Sequence, residues 1–135
     1  MIFTVNIDST MEELARAQLE VEHFLATADV PAESAYVVRL CLEELVSNVI
    51  RHGHSDRARH HISLTVDVDP DGIGITVEDD GQAFDPRAGD ELQAPASLDR
   101  APTGGMGLPL VRAMAESIDY ARRDGRNLVS VRVAV

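Results

Sequence analysis

From Pro31 to His52 apolar residues return at helical spacing, and inside that helix the chain sets polar groups where carbon is expected. Val38, Leu42, Leu45, Val46 and Val49 fill a broad apolar arc that needs a layer to bury it. Arg39, Glu43 and Ser47 share one edge and read as the solvent stripe. Glu44 and Asn48 belong to neither group. They stand one turn apart, away from that stripe, between Leu40 on one side and Cys41 and Leu45 on the other. Removing a carboxylate from water costs on the order of several kcal/mol unless something compensates for it. Either Glu44 is a half-exposed glutamate and Asn48 a helix-end amide, or this helix carries one wall of a polar site.

The flanking segments supply the layer. Ile2 to Ile7 alternates and predicts a strand; Ser9 and Thr10, followed by Glu12 and Glu13, give a capping box for a helix running to about Ala28 with Leu14, Val21, Leu25 and Ala28 as its core stripe. Val30-Pro31 separates it from the second helix, which ends at Gly53. Ile62, Leu64, Val66 and Val68 then share one strand face, and Asp69-Pro70-Asp71-Gly72 turns the chain into a returning strand from Ile73. Between Gly81 and Thr103 the pattern is lost, apart from a short apolar patch near Leu92; a loop this long suits a lid or a disordered segment. Leu108, Val111, Met114, Ala115 and Ile118 mark a third helix. A strand around Asp119–Arg122 and one carrying Val129, Val131, Val133 and Val135 close the chain across an Asp124-Gly125 turn. The expected fold is α+β, one domain over residues 1–135, with about three helices on one face of a mixed, mostly antiparallel sheet.

Composition narrows the chemistry. A formal net charge of −11 argues against nucleic acid or an anionic membrane as a direct partner, because both are held through positive charge. The chain contains no lysine, which excludes a Walker-type phosphate loop and leaves nucleotide chemistry to arginine, backbone amides and a metal. Cys41, the single cysteine, reads as a small buried hydrophobe, and no disulfide framework is possible. With neither a signal-peptide pattern nor a membrane-length apolar run, the expected location is cytoplasmic. His52, His54, His60 and His61 straddle a helix end, a polar loop and a strand start, with no cysteine or well-spaced carboxylate to complete a zinc set. Arg122, Arg123 and Arg126 read as a solvated hairpin end.

Two further constellations carry chemistry. Ile73, Ile75 and Val77 point to one face of their strand, and the phase continues to Asp79, so a carboxylate ends an apolar row with Gly81 just beyond it. An apolar ring bearing an exocyclic amine, such as adenine, suits such a pocket; Asp79, Asp80 and Gly81 equally suit the plain end of a strand. Thr103-Gly104-Gly105-Met106-Gly107-Leu108-Pro109 opens the third helix, where free amides and the helix dipole favour a phosphate, though such a cluster also serves as a hinge.

In this order, a Glu-x-x-x-Asn helix, an Asp-x-Gly after a strand, a long lid and a Gly-Gly-x-Gly before a helix resemble the Bergerat-fold ATPases. The chain is most similar to their small bacterial branch, the anti-sigma-factor serine/threonine kinases. The likeness runs through Leu42–Gly53, Asp79–Pro86, Gly104–Leu108 and Asn127–Val131. It implies a two-layer Bergerat fold with a long ATP lid, and ATP and Mg²⁺ as cofactors. By the same resemblance Asn48 holds Mg²⁺, Asp79 accepts from the adenine amino group and Gly81 lets the ring pack close. Gly104, Gly105 and Gly107, with Met106 and Leu108 in the same segment, wrap the phosphates, and Glu44 is the general base that takes a proton from an attacking serine. Ser130 falls where the superfamily often has a hydroxyl near the adenine acid. Ala83 departs from the pattern, standing where much of the superfamily has a second glycine. The implied partners are an anti-anti-sigma (STAS-type) protein as phosphoacceptor, a sigma factor, and a second copy in a homodimer.

The leading function is thus a protein serine kinase acting by partner switching. A non-catalytic ATP-dependent binding module, an ATP hydrolase and a histidine-kinase catalytic domain are the alternatives. The last is disfavoured because those enzymes usually carry Asn at the Glu44 position and need a dimerisation helix pair.

Overall fold

Strand β1 (Ile2–Asp8) leads into helices α1 (Met11–Thr27) and α2 (Ala32–His52), and β2 (His61–Asp69) and β3 (Gly72–Asp79) form the hairpin. Helix α3 (Gly107–Met114) precedes β4 (Ser117–Arg123) and β5 (Arg126–Val133). These coordinates are a computed structural model describing residues 1–52, 60–87 and 107–135. The strands form one sheet in the order β1-β2-β3-β5-β4, with every neighbouring pair antiparallel. The α+β arrangement is the one the alternating periods predict. No helix among the described residues is long and apolar enough to cross a membrane.

Thr10 caps α1 from an extended backbone, its Oγ1 accepting from the Glu13 amide at 3.2 Å. Glu13 reciprocates at Asp8, whose amide lies 3.4 Å from Oε1. The helix ends before the Val30-Pro31 break: Asp29 turns left-handed (φ 55°), and the amides of Asp29 and Val30 reach back to Ala26 and Leu25.

Period-two alternation puts one face of the sheet under the helices. Phe3, Val66, Ile75, Val131 and Ile118 lie opposite one another across the strands, as do Val5, Leu64, Val77, Val129 and Tyr120. These rows join Leu14, Val21, Leu25, Val38, Leu42 and Val46 in one core. Each large side chain taken fully from water contributes about 1.5–3 kcal/mol. Cys41 belongs to this core, and burial pushes its thiol up to about 11. The opposite sheet face carries the row Thr4, Thr65, Thr76, Ser130 and Asp119.

Two local expectations give way to tertiary packing. Ser47 is 3% exposed rather than part of a solvent stripe. Helix α2 packs against α1, α3 and the sheet together, so an edge that periodicity alone leaves open is covered near its end. The third helix stops at Met114, and Ile118 lies in β4 opposite Val131. The Glu116 amide is already bonded to the Arg132 carbonyl at 2.8 Å, so pairing with β5 captures the chain before another helical turn forms. Within α3 only Gly107 and Val111 are buried; Met114 is 38% exposed.

Candidate functional site

A third cross-strand row begins like the other two and then changes character: Ile7, Ile62, Asp79, Asn127, Arg122. Asp79 lies on the core face at the end of β3 and is 3% exposed, as the strand phase predicts. Its Oδ2 accepts from the Gly81 amide at 2.8 Å and from Asn127 Nδ2 at 3.3 Å. Both hydrogen bonds to its side chain among the described residues therefore fall on one carboxylate oxygen. Gly81 serves Asp79 through its backbone, closing a tight turn over the carboxylate.

Asp79 lies in the wall of a pocket with Leu45, Val49, Val77, Leu108 and Val129 as apolar lining and Asn48, His52, Gln82 and Asn127 as polar groups. Ala83, Phe84 and Pro86 complete it. An apolar slot with one buried carboxylate fits a flat heteroaromatic base carrying an amino donor. Asn48 places the amide of α2 in the same wall. Among the described residues no cluster of three or more His, Cys, Asp or Glu could hold a metal. A lone amide oxygen suits Mg²⁺, which takes one or two protein oxygens and completes its shell with phosphate oxygens and water.

Glu44 stands one turn from Asn48 and faces the start of α3. A Cβ added to Gly107 would lie 1.6 Å from Glu44 Oε2, so the glycine is what lets the carboxylate reach the first residue of that helix. Glu44 is partly buried, and its carboxyl is held above the usual glutamate range, first by burial and then by the charge of Glu43, with Arg51 opposing. A carboxylate so disposed is suited to accepting a proton.

Of the sequence-predicted residues, the fold thus brings Asn48, Asp79 and Leu108 into one pocket wall, Gly81 behind Asp79, and Gly107 against Glu44. Gly104, Gly105 and Met106 lie outside the described residues, as does the part of the expected lid from residue 88 onward. Ser130 does not join the site. It pairs with Thr76 three register positions from Asp79 and points to the other face of the sheet, because side chains alternate along β5. Arg122 is more than a solvated hairpin residue: its Nη1 donates to the Gly81 carbonyl at 3.0 Å and to Asn127 Oδ1 at 2.9 Å. Asn127 is the residue that sequence reasoning missed as a site group. Its partner Asp79 is forty-eight positions away, and only the β3–β5 register joins them.

The sequence model of the histidine kinase-like ATPase domain family matches residues 7–133. Among characterised proteins, the chain is 28% identical over 124 residues to the serine/threonine-protein kinase BtrW of Bordetella bronchiseptica, covering 92% of this chain and 87% of that protein. It is 29% identical over 104 residues to blue-light-activated histidine kinase 2 of Erythrobacter litoralis, spanning 76% of this chain but 27% of the relative. Among solved structures, the RsbU and RsbW domains of a Mycobacterium tuberculosis protein superpose with a TM-score of 0.71 at 14% identity, over 99% of this chain and 32% of that one. The SiaB–SiaC complex of Pseudomonas aeruginosa superposes with a TM-score of 0.62 at 15% identity, over 98% and 89%.

Proposed function

From a chain that belongs to the histidine kinase-like ATPase domain family, we propose a Mg²⁺-dependent protein serine/threonine kinase that phosphorylates an anti-anti-sigma (STAS-type) protein and acts by partner switching. The observation that carries the reading is the Glu44 carboxylate, seated on the first residue of α3 one turn from Asn48 in the pocket wall. Asp79 receives the adenine amino group, and the apolar lining receives the ring. Gly104, Gly105 and Gly107 hold the phosphates, and Asn48 holds the metal, which supplies charge neutralisation. Glu44 takes the proton of the acceptor serine as its oxygen bonds to the γ-phosphorus and the bond to ADP breaks, leaving phosphoserine and ADP. The similarity to a named serine/threonine-protein kinase over most of both chains supports the reaction class.

Glu44→Gln separates chemistry from binding, because the amide keeps the size of the carboxylate and cannot accept a proton at neutral pH. Phosphotransfer to a partner serine should fall by about two to four orders of magnitude, with nucleotide affinity little changed. Asn48→Ala should lose Mg²⁺-dependent binding and activity together. Full phosphotransfer by Glu44→Gln would remove the kinase reading and leave an ATP-gated binding module in its place.

A further inference from the structure

Asn127 is 3% exposed and holds five polar contacts. The two hydrogens of its Nδ2 are shared among three acceptors, the Gln82 carbonyl at 2.8 Å, Asp79 Oδ2 at 3.3 Å and the Gly81 carbonyl at 3.4 Å. Its Oδ1 accepts from the Tyr120 hydroxyl and, at 2.9 Å, from Arg122 Nη1. The amide orientation follows from this division. Turned over, it would set its oxygen among three acceptors and its NH₂ against the Arg122 guanidinium, which can only donate. Tyr120 and Arg122 come from β4, so the edge strand fixes the orientation of a side chain on β5, which in turn meets a carboxylate on β3.

We propose that Asn127 is a positioning residue of the base subsite. It occupies Asp79 Oδ2 and ties down the Gly81–Gln82 backbone, so that Oδ1 is the oxygen offered to the base, and it thereby sets the preference for an amino group over a carbonyl at that point. The proposal rests on the adenine reading of the pocket. A carboxylate held by the Gly81 amide alone keeps more torsional freedom, and the pocket residue Gln82 would lose its tie to β5. A carboxylate whose free oxygen is aimed discriminates well, because a ring carbonyl set against it leaves two acceptors facing with no proton between them.

The test is a titration of the full chain with Mg-ADP and Mg-IDP, whose hypoxanthine carries a carbonyl in place of the amino group. Wild type, Asn127→Ala and Tyr120→Phe are compared, each checked for cooperative thermal unfolding. Tyr120→Phe removes only the hydroxyl bonded to the amide oxygen, from a residue outside the pocket wall. Asn127→Ala should bind ADP about tenfold more weakly with a much smaller change for IDP, so the ADP-to-IDP ratio shrinks. Tyr120→Phe should move the ratio the same way by roughly threefold, as expected for one lost hydrogen bond to the orienting network. A merely structural Asn127 would lower stability and leave the ratio at its wild-type value, and that result in a folded variant overturns the proposal. Should Asn127→Ala not fold, Tyr120→Phe alone decides it. Failure of wild type to bind ADP at all would remove the adenine reading beneath it, an outcome distinct from an unchanged ratio.

Discussion

Glu44 carries its carboxylate into a place where ionisation is disfavoured, by burial first and by Glu43 second. Two consequences share that cause. A general base must be ionised, so the acid limb of the phosphotransfer rate should lie above the ordinary glutamate value of 4.5, and it should vanish in Glu44→Gln. The sign for stability is the reverse. A glutamate whose folded pKa is raised binds its proton more tightly in the folded chain, so its ionisation weakens the fold as pH rises past the unfolded value. Glu44→Gln should therefore be more stable than wild type at neutral pH, and the gain should disappear below about pH 4.5, the range in which an unfolded glutamate titrates. Denaturant melts of both proteins at neutral and acid pH check this; equal stability at neutral pH would show that the carboxylate carries no such burden.

The β4–β5 hairpin is the element on which the site register depends, because it sets Asn127 opposite Arg122 and delivers Asn127 to Asp79. Its turn uses two left-handed residues, Asp124 (φ 54°) and Gly125 (φ 77°), the geometry that matches the twist of paired strands. A Cβ on Gly125 would meet nothing within 4 Å, so the penalty of Gly125→Ala is that of the backbone alone, about 1 kcal/mol. Urea denaturation should show that loss with an unchanged slope. A similar economy operates on the outer sheet face. Arg132 on β5 reaches over β3 to make a paired contact with Asp69 on β2, at 2.9 and 3.0 Å. Gly72 and Gly74 leave that path clear, and the guanidinium holds the Asp69 carboxyl down at about 2.

At the scale of the molecule, the helices cover one sheet face and the site opens where that cover ends, among α2, the end of β3 and the start of α3. The pocket is thus a continuation of the core whose last cross-strand row is polar. A ligand that fills it binds the folded chain only, and so must raise its stability. With Mg-ADP at about a hundred times its dissociation constant the gain is about 2.7 kcal/mol, near 10 °C in melting temperature for a chain of this size. Guanine nucleotides should give much less. Equal shifts from the two bases would show that Asp79 does not read the exocyclic amine.

The sequence by itself determined what local period and turn chemistry govern. The first two helices begin and end close to their signals, the strand phase runs unbroken from Ile73 to Asp79, and Asp124-Gly125 turns as its residue types require. It also singled out Glu44, Asn48, Asp79 and the glycine segment that opens α3, Leu108 included, because a polar group out of phase with an apolar stripe, or a glycine cluster at a helix start, is visible without knowing what lies across from it. Tertiary structure decided the rest. Ser47 is covered because α2 has neighbours on several sides, Ile118 is a strand residue because β5 captures it, and Ser130 faces away from Asp79. Asn127 joins the site for the same reason that those expectations gave way. Pairing between strands distant in sequence fixes which side chains share a row, and no local pattern encodes that register.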